Sequence, residues 1–546
     1  METITILKTE YDALRDRTEK TSGSSCGEGT MTIPRAEYEK LLQLEQKYAA
    51  LSKQMEWMME QMRLMNKRAF GASSEKSKES AYEQLTLFFN EVESQMADVH
   101  SKGKTTSVAG YTRKKRPGTA GEVLPEGIPE EVIEHGLSEE ERLCPACGTE
   151  MEPIGKEERL ELKFVPAQAI LVRHIYYTYA CMNCKENDIE TPILKTPRAA
   201  QVLAGSYATP EAIAHIMVQK YVMGAPLYRQ EQDWNRSGVQ ISRQTMSNWV
   251  LAAQEAWLKP IYEVLHRKLL ERQVLHADET TLQVLHEDGK KAQTKSYMWM
   301  YRTGGDAEHP IVLYEYQPSR GSGHPKAFLQ GFHGYLQVDG YSGYHALEPE
   351  IRLVGCWAHA RRKFDEALNA LPEKDRAGSA ALEGQQYCTK LFAIERELAD
   401  LTPEERYEQR LKQEKPVLDA LLAWAQSKSA APKSALGKAL YYLKEQWPYL
   451  MRYLEDGRLE LSNNRGERSI KPFVIGRKNF LFANTPNGAQ GSATIYSIVE
   501  TAKENGLDPF RYLSYIFSKA PELSKGNPKW AEQFVPEAVP VFCKSR

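Results

Sequence analysis

The feature that most restricts the fold of this chain is an acidic residue in the middle of a strand pattern. Apolar residues at 274, 275, 277, 282, 284 and 285 frame the segment HADETT as a β-strand. Asp is normally depleted from strand interiors, so Asp278 needs a functional reason. The alternative is that Asp278 is an ordinary turn or cap acid, which many proteins contain.

The segments that follow Asp278 predict a mixed α/β domain. Two apolar runs, SYMWMYRT and PIVLYEY, flank the turn-rich GGDAEH, as antiparallel strands do. A short helix through Lys326, a strand ending at Asp339, a further strand IRLVGCW and the helix AHARRKFDEAL follow. This order of elements is typical of a ribonuclease H-like fold, in which the first and fourth strands are neighbours. We therefore expect Asp278 and Asp339 to lie together.

A third acid is expected from a later helix. By position the candidates are Glu366, Glu460 and Glu467. The segment LELSNNRGERSIKP favours Glu467, because an Asn at 463 or 464 can cap a short helix that Pro472 would close.

The three acids Asp278, Asp339 and Glu467 are predicted to be catalytic and to bind Mg²⁺ or Mn²⁺. These ions prefer carboxylate oxygens and substrate phosphate, and two of them can assist both the attacking and the leaving oxygen of a phosphodiester. The basic residues around the acids are predicted to contact DNA phosphates: Arg361, Arg362, Lys363, Arg465, Arg468 and Lys471. For the neighbouring His359, a packing role is an equal alternative.

Two C-x-x-C pairs predict a structural zinc site formed by Cys144, Cys147, Cys181 and Cys184. Four thiolates fill a tetrahedron, so the ion would hold shape and perform no chemistry; the alternative is four unrelated thiols. The intervening LELKFVPAQAILVRHIYYTYA alternates like a hairpin. The remaining cysteines, Cys26, Cys356, Cys388 and Cys543, are interpreted as structural or incidental.

A seven-residue repeat near the N-terminus predicts a coiled coil and self-association. Leu44, Leu51, Met58 and Met65 share one register, and the second register begins at Tyr48. The alternative is one long helix packed on its own domain.

Two regions are predicted to bind DNA, since the formal net charge of -2 gives no global attraction to it. One is a polar linker with the cluster Arg113, Lys114, Lys115 and Arg116. The alternative is that this cluster is a solvated basic run without a DNA contact. The other is GVQISRQTMSNWV, which resembles a recognition helix that presents Arg243, Gln244 and Asn248, although small helical bundles look similar.

A length of 546 residues favours several domains. No apolar run is long enough to cross a membrane and no secretory signal is present, so we expect a cytoplasmic protein without a membrane partner. The predicted fold class is multidomain, with an α/β ribonuclease H-like core, a helical insertion, a coiled coil, a zinc-binding domain and a helix-turn-helix-like domain. Its boundaries are 1–72 (coiled coil), 73–140 (basic linker), 141–200 (zinc-binding), 201–270 (helix-turn-helix-like), 271–369 (core, first part), 370–456 (helical insertion), 457–480 (core, last part) and 481–546 (C-terminal helical region and tail).

From about Leu41 to about Ala520 the chain resembles the insertion-sequence-66 type of bacterial DDE transposases. The matching segments come in one order: FGASSEKS, CPACG with CMNC, AGSYATPEAIAHIMVQKYVMGAPLYRQEQ, ADET, VDGYSGY, CWAHARRKF, LSNNRGERSIKPFVIGRKNFLF and YSIVETAKENGLDPFRYL. The resemblance implies catalytic acids at Asp278, Asp339 and Glu467. It also implies hydrolysis at the element ends, followed by attack of the freed 3′-hydroxyl on target DNA. Small companion proteins encoded by the element are further candidate partners.

Three classes of function remain at this point. The first is an active transposase that binds the ends of its element. The second is a non-enzymatic DNA-binding protein, which would not need all three acids. The third is a ribonuclease H-like nuclease that hydrolyses DNA without joining strands. The intact acids argue against the second class.

Overall fold

The computed structural model describes residues 3–7, 30–44, 46–47, 107–108, 111–112, 169–180 and 193–545. Contacts divide the chain into two units, one of residues 1–71 with 176–545 and one of residues 72–175. The four predicted zinc cysteines, the basic cluster 113–116 and the heptad positions beyond residue 47 lie outside the described residues. In the second unit, β3 (Ser107–Val108) pairs antiparallel with β4 (Tyr111–Thr112).

The N-terminal part of the first unit contains two short strand pairs, and residues 35–44 and 46–47 between these pairs are helical. β1 (Thr3–Leu7) pairs antiparallel with β2 (Thr30–Pro34), and β5 (Thr178–Ala180) with β6 (Ile193–Lys195). Of the segment expected to form a hairpin between the cysteine pairs, residues 169–177 carry no regular structure and Thr178–Ala180 is the strand β5. Side chains such as Ile170 and Leu171 stay exposed, so alternation of residue types is not matched there by burial.

Four helices follow as a compact group. They are α1 (Pro210–Tyr221), α2 (Leu227–Arg236), α3 (Arg243–Ala253) and α4 (Lys259–Leu270), with a π-helical turn at Gln254–Leu258. Two side chains cap these helices: Thr209 Oγ1 accepts the N–H of Ala212, and Ser242 Oγ accepts that of Thr245. Each cap satisfies a backbone donor that the first helical turn leaves without a partner.

A five-stranded sheet occupies the centre of the first unit. Its elements are β7 (Val274–Gln283), β8 (Lys295–Thr303), β9 (Val312–Gln317), α5 (Gly323–Phe328), β10 (Tyr335–Gln337), a 3₁₀ turn at Ser342–Leu347, β11 (Arg352–Val354) and α6 (Trp357–Asn369). The strand order is β11-β10-β7-β8-β9. β7, β8 and β9 are antiparallel, whereas β10 runs parallel to both β7 and β11. The first and fourth strands of the sheet are thus neighbours, as the sequence predicts.

A helical insertion separates α6 from the remaining core helices. It comprises α7 (Ala380–Glu397), α8 (Pro403–Gln413), α9 (Lys415–Ser427) and α10 (Ala435–Leu450). The insertion shares a second hydrophobic core with α6 and β11, apart from the core around the sheet. Thr402 and Glu405 form a capping box at the start of α8.

Three helices complete the core: α11 (Asn464–Phe480), α12 (Pro486–Glu504) and α13 (Pro509–Leu523). The expectation that Pro472 ends α11 is wrong, because the helix continues for two more turns. Beyond the proline, Phe473 is buried between the rings of Tyr314 and Tyr496. Burial of an aromatic side chain offsets a proline cost of about 3 kcal/mol.

The far end of α11 lies against the turn between α1 and α2. Gly224 in that turn has φ +69, and a Cβ there would come within 2.6 Å of the Asn479 side chain. Only glycine combines this backbone conformation with such a close approach. No helix in the described part of the chain is long and apolar enough to cross a membrane.

Candidate active site

Asp278 lies on β7, and Asp339 lies two residues beyond the end of β10, the strand that runs parallel to β7. Gln337 of β10 pairs with His276 of β7. Asp339 and Asp278 each lie two residues further on, so they are expected on the same face of the sheet, with backbones about 4.8 Å apart. Gly340, at φ +94, turns the chain immediately after Asp339, where a Cβ would approach Gln446 and Tyr442 at 3.0 Å.

The carboxyl of Asp278 has an environment that disfavours its charge. Burial raises its pKa well above the usual value, and the nearby charges of Glu279, Asp339 and Glu467 raise it further. One hydrogen bond acts in the opposite direction, from the N–H of Glu279 to Asp278 Oδ1 at 2.8 Å. Mutual repulsion among acids in a buried place is the condition that a bound cation relieves.

Glu467 joins these acids from the first turns of α11. Its Oε1 lies 3.6 Å from Nδ1 of His359, and its Oε2 lies 3.7 Å from a guanidinium nitrogen of Arg362. Both partners belong to α6, so this helix contacts both oxygens of the acid. Of the predicted third acids, Glu467 is the one whose charge reaches Asp278; Glu460 instead pairs with Arg465 at 2.5 Å, and Glu366 pairs with Lys363 at 3.4 Å.

Asn463 fixes the start of α11 against β7. Its side-chain amide donates to the carbonyl of Ala277 at 2.9 Å, and its Oδ1 lies 2.8 Å from Nδ1 of His276. Its N–H donates to Sγ of Cys356 at 3.1 Å. The side chain therefore does not cap the helix, which corrects the expected capping role. A Cβ at Gly466 would come within 2.7 Å of Asn463 Oδ1, so glycine makes room for this contact.

A second anchor joins the chain before α11 to β10. The Gln337 side chain, fully buried, donates to the carbonyl of Glu460 at 2.6 Å and accepts its N–H at 3.0 Å. These paired bonds hold the approach to Glu467 against the strand that leads to Asp339.

On the opposite face of the sheet, a clamp links the segments that carry the two aspartates. Glu279 Oε1 accepts Nε of Arg320 at 2.7 Å, and its Oε2 accepts the hydroxyl of Tyr344 at 2.6 Å. The Arg320 guanidinium lies 3.7 Å from the ring centre of Tyr341. The N–H of Tyr341 in turn donates to Asp339 Oδ1 at 2.9 Å. Two aspartates 61 residues apart are thus oriented by one continuous set of contacts.

Cys356 lies beside the site as the residue that precedes α6. It is buried, and together with His359 and Glu467 it forms a group whose nitrogen, oxygen and sulfur donor atoms all lie within 4.8 Å of one another. Burial, together with the charge of Glu467, raises the pKa of Cys356 to about 12. No other such group occurs among the described residues.

The predicted phosphate-contacting residues divide into two sets. Arg362 and Arg465 each form an ion pair, Arg362 with Glu467 of the triad and Arg465 with Glu460. Arg468 is exposed on α11, whereas Arg361 lies 5.7 Å from the ring of Phe392 and Lys363 pairs with Glu366. Lys471 is half-buried one turn beyond Glu467.

The predicted recognition residues share an exposed face of α3. Arg243, Gln244 and Asn248 are exposed, and Nε2 of Gln244 donates to Oδ1 of Asn248 at 3.0 Å. The Arg243 guanidinium lies 5.8 Å from the ring centre of Tyr228 on α2.

Sequence reasoning missed several residues that hold the site together. Arg320, Tyr344, Gln337 and His276 show no motif on their own, and Cys356 was interpreted as structural or incidental. One signal was present: Glu279 is a second acid in the same strand as Asp278, and alternation places it on the opposite face, where it needs a buried partner.

Comparisons with known proteins agree with the order of these regions. A family model described as "Transposase IS66 family" matches residues 205–491. Models described as a zinc-finger binding domain of transposase IS66, as "Transposase C of IS166 homeodomain" and as an IS66 C-terminal element match residues 141–185, 57–133 and 497–528.

Similar proteins occur in Sinorhizobium fredii. The uncharacterized protein y4jD is 32% identical over 72% of this chain and 78% of its own length. The uncharacterized protein y4qI is 30% identical over 80% of each chain.

Proposed function

Because this chain belongs to the IS66 family of transposases, we propose that it binds the ends of its insertion element and catalyses DNA cleavage and strand transfer through Asp278, Asp339 and Glu467. The family layout includes a zinc-finger region and a DDE domain, which imply zinc and a divalent metal respectively. The strand order, with three antiparallel strands followed by two parallel ones, supports a ribonuclease H-like catalytic core.

The observation that carries the proposal is the convergence of three acids from separate elements. Asp278 lies on β7, Asp339 follows the end of the parallel strand β10, and the charges of Asp339 and Glu467 act on Asp278. An isolated cap acid would not have two further carboxylates directed at it.

The donor set fits Mg²⁺ or Mn²⁺. Asp278, Asp339 and Glu467 offer carboxylate oxygens, and burial together with the neighbouring acids raises the pKa of Asp278, which a bound cation would reverse. When bound, such ions would supply an activated attacking oxygen and stabilise the leaving one.

The protein's own residues provide orientation and charge around the scissile phosphate. Asn463 and Gln337 hold the start of α11, so Glu467 keeps its position relative to the aspartates. Arg362, beside Glu467, and the exposed Arg468 are assigned to the DNA backbone.

Other regions are assigned to recognition and assembly. Arg243, Gln244 and Asn248 on α3 would read base edges at the element ends, with Arg361, Lys363, Arg465, Lys471 and the cluster Arg113–Arg116 as phosphate contacts. Cys144, Cys147, Cys181 and Cys184 would hold structural zinc, and the N-terminal heptads would join copies of the chain. Companion proteins of the element are further proposed partners.

The proposal is tested with a strand-transfer assay on DNA that carries the ends flanking this gene, in Mg²⁺ or Mn²⁺. Asp278→Asn, Asp339→Asn and Glu467→Gln are each expected to abolish cleavage and joining while DNA binding persists. Glu366→Gln and Glu460→Gln are matched controls, because their carboxylates pair with Lys363 and Arg465 outside the triad.

Each outcome separates the candidate functions. Activity retained in Glu467→Gln and lost in Glu460→Gln would identify Glu460 as the third catalytic acid in place of Glu467. Cleavage without joining would favour a hydrolytic nuclease. End binding without a reaction under any metal would leave a DNA-binding protein.

A further inference from the structure

A second set of metal-binding atoms lies beside the carboxylate triad and differs from it in chemistry. Cys356, His359 and Glu467 offer sulfur, nitrogen and oxygen donors within 4.8 Å of one another. We propose that these three residues form a Zn²⁺ site that, when filled, withdraws Glu467 from catalysis. The inhibitory part of this proposal rests on the proposed function; the binding part does not.

One of the three distances between the donor atoms already suits a small tetrahedral ion, and the two that involve Cys356 are within 4.8 Å. Ligands held at about 2.0 to 2.3 Å from tetrahedral zinc lie about 3.3 to 3.6 Å from one another. His359 Nδ1 and Glu467 Oε1 are 3.6 Å apart, which already meets this requirement. Cys356 and His359 are three residues apart across the start of α6, so both donors come from one turn of the chain.

The surroundings of Cys356 suit a metal-bound thiolate. Its Sγ accepts the N–H of Asn463 at 3.1 Å, and the backbone N–H groups of Ala358 and His359 also stabilise its charged form. Without a cation, burial keeps the thiol protonated. A zinc ion displaces that proton and leaves a thiolate that already has backbone donors directed at it.

The two oxygens of Glu467 face different partners. Oε2 lies near Arg362, whereas Oε1 lies near His359. Zinc at Oε1 also requires the Nδ1 lone pair of His359, so the ring proton moves to Nε2 and the 3.4 Å contact of Nε2 with Arg362 is lost. Sulfur and imidazole donors favour zinc over Mg²⁺, so the site discriminates between an inhibitory and an activating ion.

The binding part is tested with Co²⁺ as a spectroscopic substitute for zinc, added to the full-length protein as purified. Wild type is expected to bind one more equivalent than Cys356→Ser and to show a larger near-ultraviolet thiolate-to-cobalt band. Cys388→Ser, which changes another buried cysteine on α7, should match wild type. Ser keeps an acceptor for the N–H of Asn463, so Cys356→Ser should remain folded, and thermal unfolding checks this. His359→Gln is a second variant that should lose the same extra equivalent of Co²⁺.

The inhibitory part is tested by titrating Zn²⁺ into the Mg²⁺-dependent cleavage reaction. The half-inhibitory concentration, measured against each variant's own uninhibited rate, should rise on the order of 100-fold in Cys356→Ser and stay constant in Cys388→Ser. Equal cobalt stoichiometry in wild type and Cys356→Ser would overturn the site, and equal zinc sensitivity would overturn the inhibition. If neither wild type nor any variant cleaves DNA, the proposed function fails. The difference in bound Co²⁺ between wild type and Cys356→Ser still decides whether the zinc site exists.

Discussion

Nδ1 of His276 and Oδ1 of Asn463 lie 2.8 Å apart although 187 residues separate them in the chain. The Asn463 amide nitrogen donates to Ala277, so its oxygen accepts from the imidazole and His276 carries its proton on Nδ1. Burial lowers the pKa of His276 to about 4, which keeps the ring neutral near pH 7. This contact joins the strand of Asp278 to the helix of Glu467.

Replacement of Asn463 by Ala should separate these two elements. The carbonyl of Ala277 and the imidazole of His276 would lose their partners in a buried place, at a cost of about 3 kcal/mol in the free energy of unfolding. Cleavage should fall more than DNA binding, because Glu467 loses its position. The control is Asn464→Ala, one residue further on. Equal unfolding free energies and cleavage rates for the two variants would contradict the role of Asn463.

The hydroxyl of Tyr344 is expected to matter for metal use rather than for folding. Tyr344→Phe removes a hydrogen bond to Glu279 and loosens the clamp that orients both aspartates. We expect a higher Mg²⁺ concentration for half-maximal cleavage, with unchanged DNA affinity. Tyr301→Phe is the matched control, because no described residue hydrogen-bonds the buried Tyr301 hydroxyl. The same Mg²⁺ dependence of cleavage in both variants would contradict a role of the clamp in metal binding.

The helical insertion should respond to pH through Glu414. This buried carboxyl accepts the hydroxyl of Tyr453 at 2.7 Å, while Arg410 pairs with Glu395 instead. Burial raises the pKa of Glu414 to about 8. Its protonated form is therefore favoured by the folded state, so its contribution to stability is full below about pH 4.5 and is lost as pH rises towards 8.

The shift of Glu414 corresponds to an upper limit of about 5 kcal/mol. Glu414→Gln, which is neutral at every pH, should unfold at a higher temperature than wild type at pH 8 and should differ less at pH 5. Thermal unfolding followed by circular dichroism across this range measures the effect. A wild-type stability that rises between pH 5 and 8 relative to Glu414→Gln would show that the carboxyl is ionised in the folded protein.

The exposed face of α3 should determine which DNA end is bound. Arg243→Ala and Gln244→Ala should each reduce the preference for element ends over scrambled DNA by about 1 to 3 kcal/mol, the usual range for a base contact. Arg236→Ala, which removes an exposed charge at the end of α2, is the control. Competition binding at fixed salt distinguishes the cases, since loss of affinity for both DNAs alike would indicate only a phosphate contact.

The sheet and its two aspartates could be predicted from the sequence because both depend on local patterns. The strand period, the turn at GGDAEH and the unusual acid in β7 are visible without any partner, and the known order of such strands brings Asp278 beside Asp339. The caps at Thr209, Ser242 and Thr402 are likewise local, because each joins residues three positions apart in the chain.

The remaining parts of the site depend on contacts between distant segments. Pro472 indicates a helix end by itself, and only the packing of Phe473 on Tyr314 and Tyr496 shows why α11 continues. Asn463 has the residue type of a helix cap, yet a buried histidine elsewhere in the chain competes for its side chain. The clamp between Glu279 and Arg320 spans 41 residues with no shared motif.

Because α11 continues past its proline, its C-terminal end reaches a second region of the protein. From Glu467 to Asn479 is twelve residues, or about 18 Å of helix, and Asn479 touches the glycine turn that leads into α2. A single helix, α11, thus connects Glu467 with the helices assigned to DNA recognition. A bulky residue at Gly224 would therefore displace the C-terminal end of α11, and the shift of the helix would move Glu467 without any contact to the acid itself.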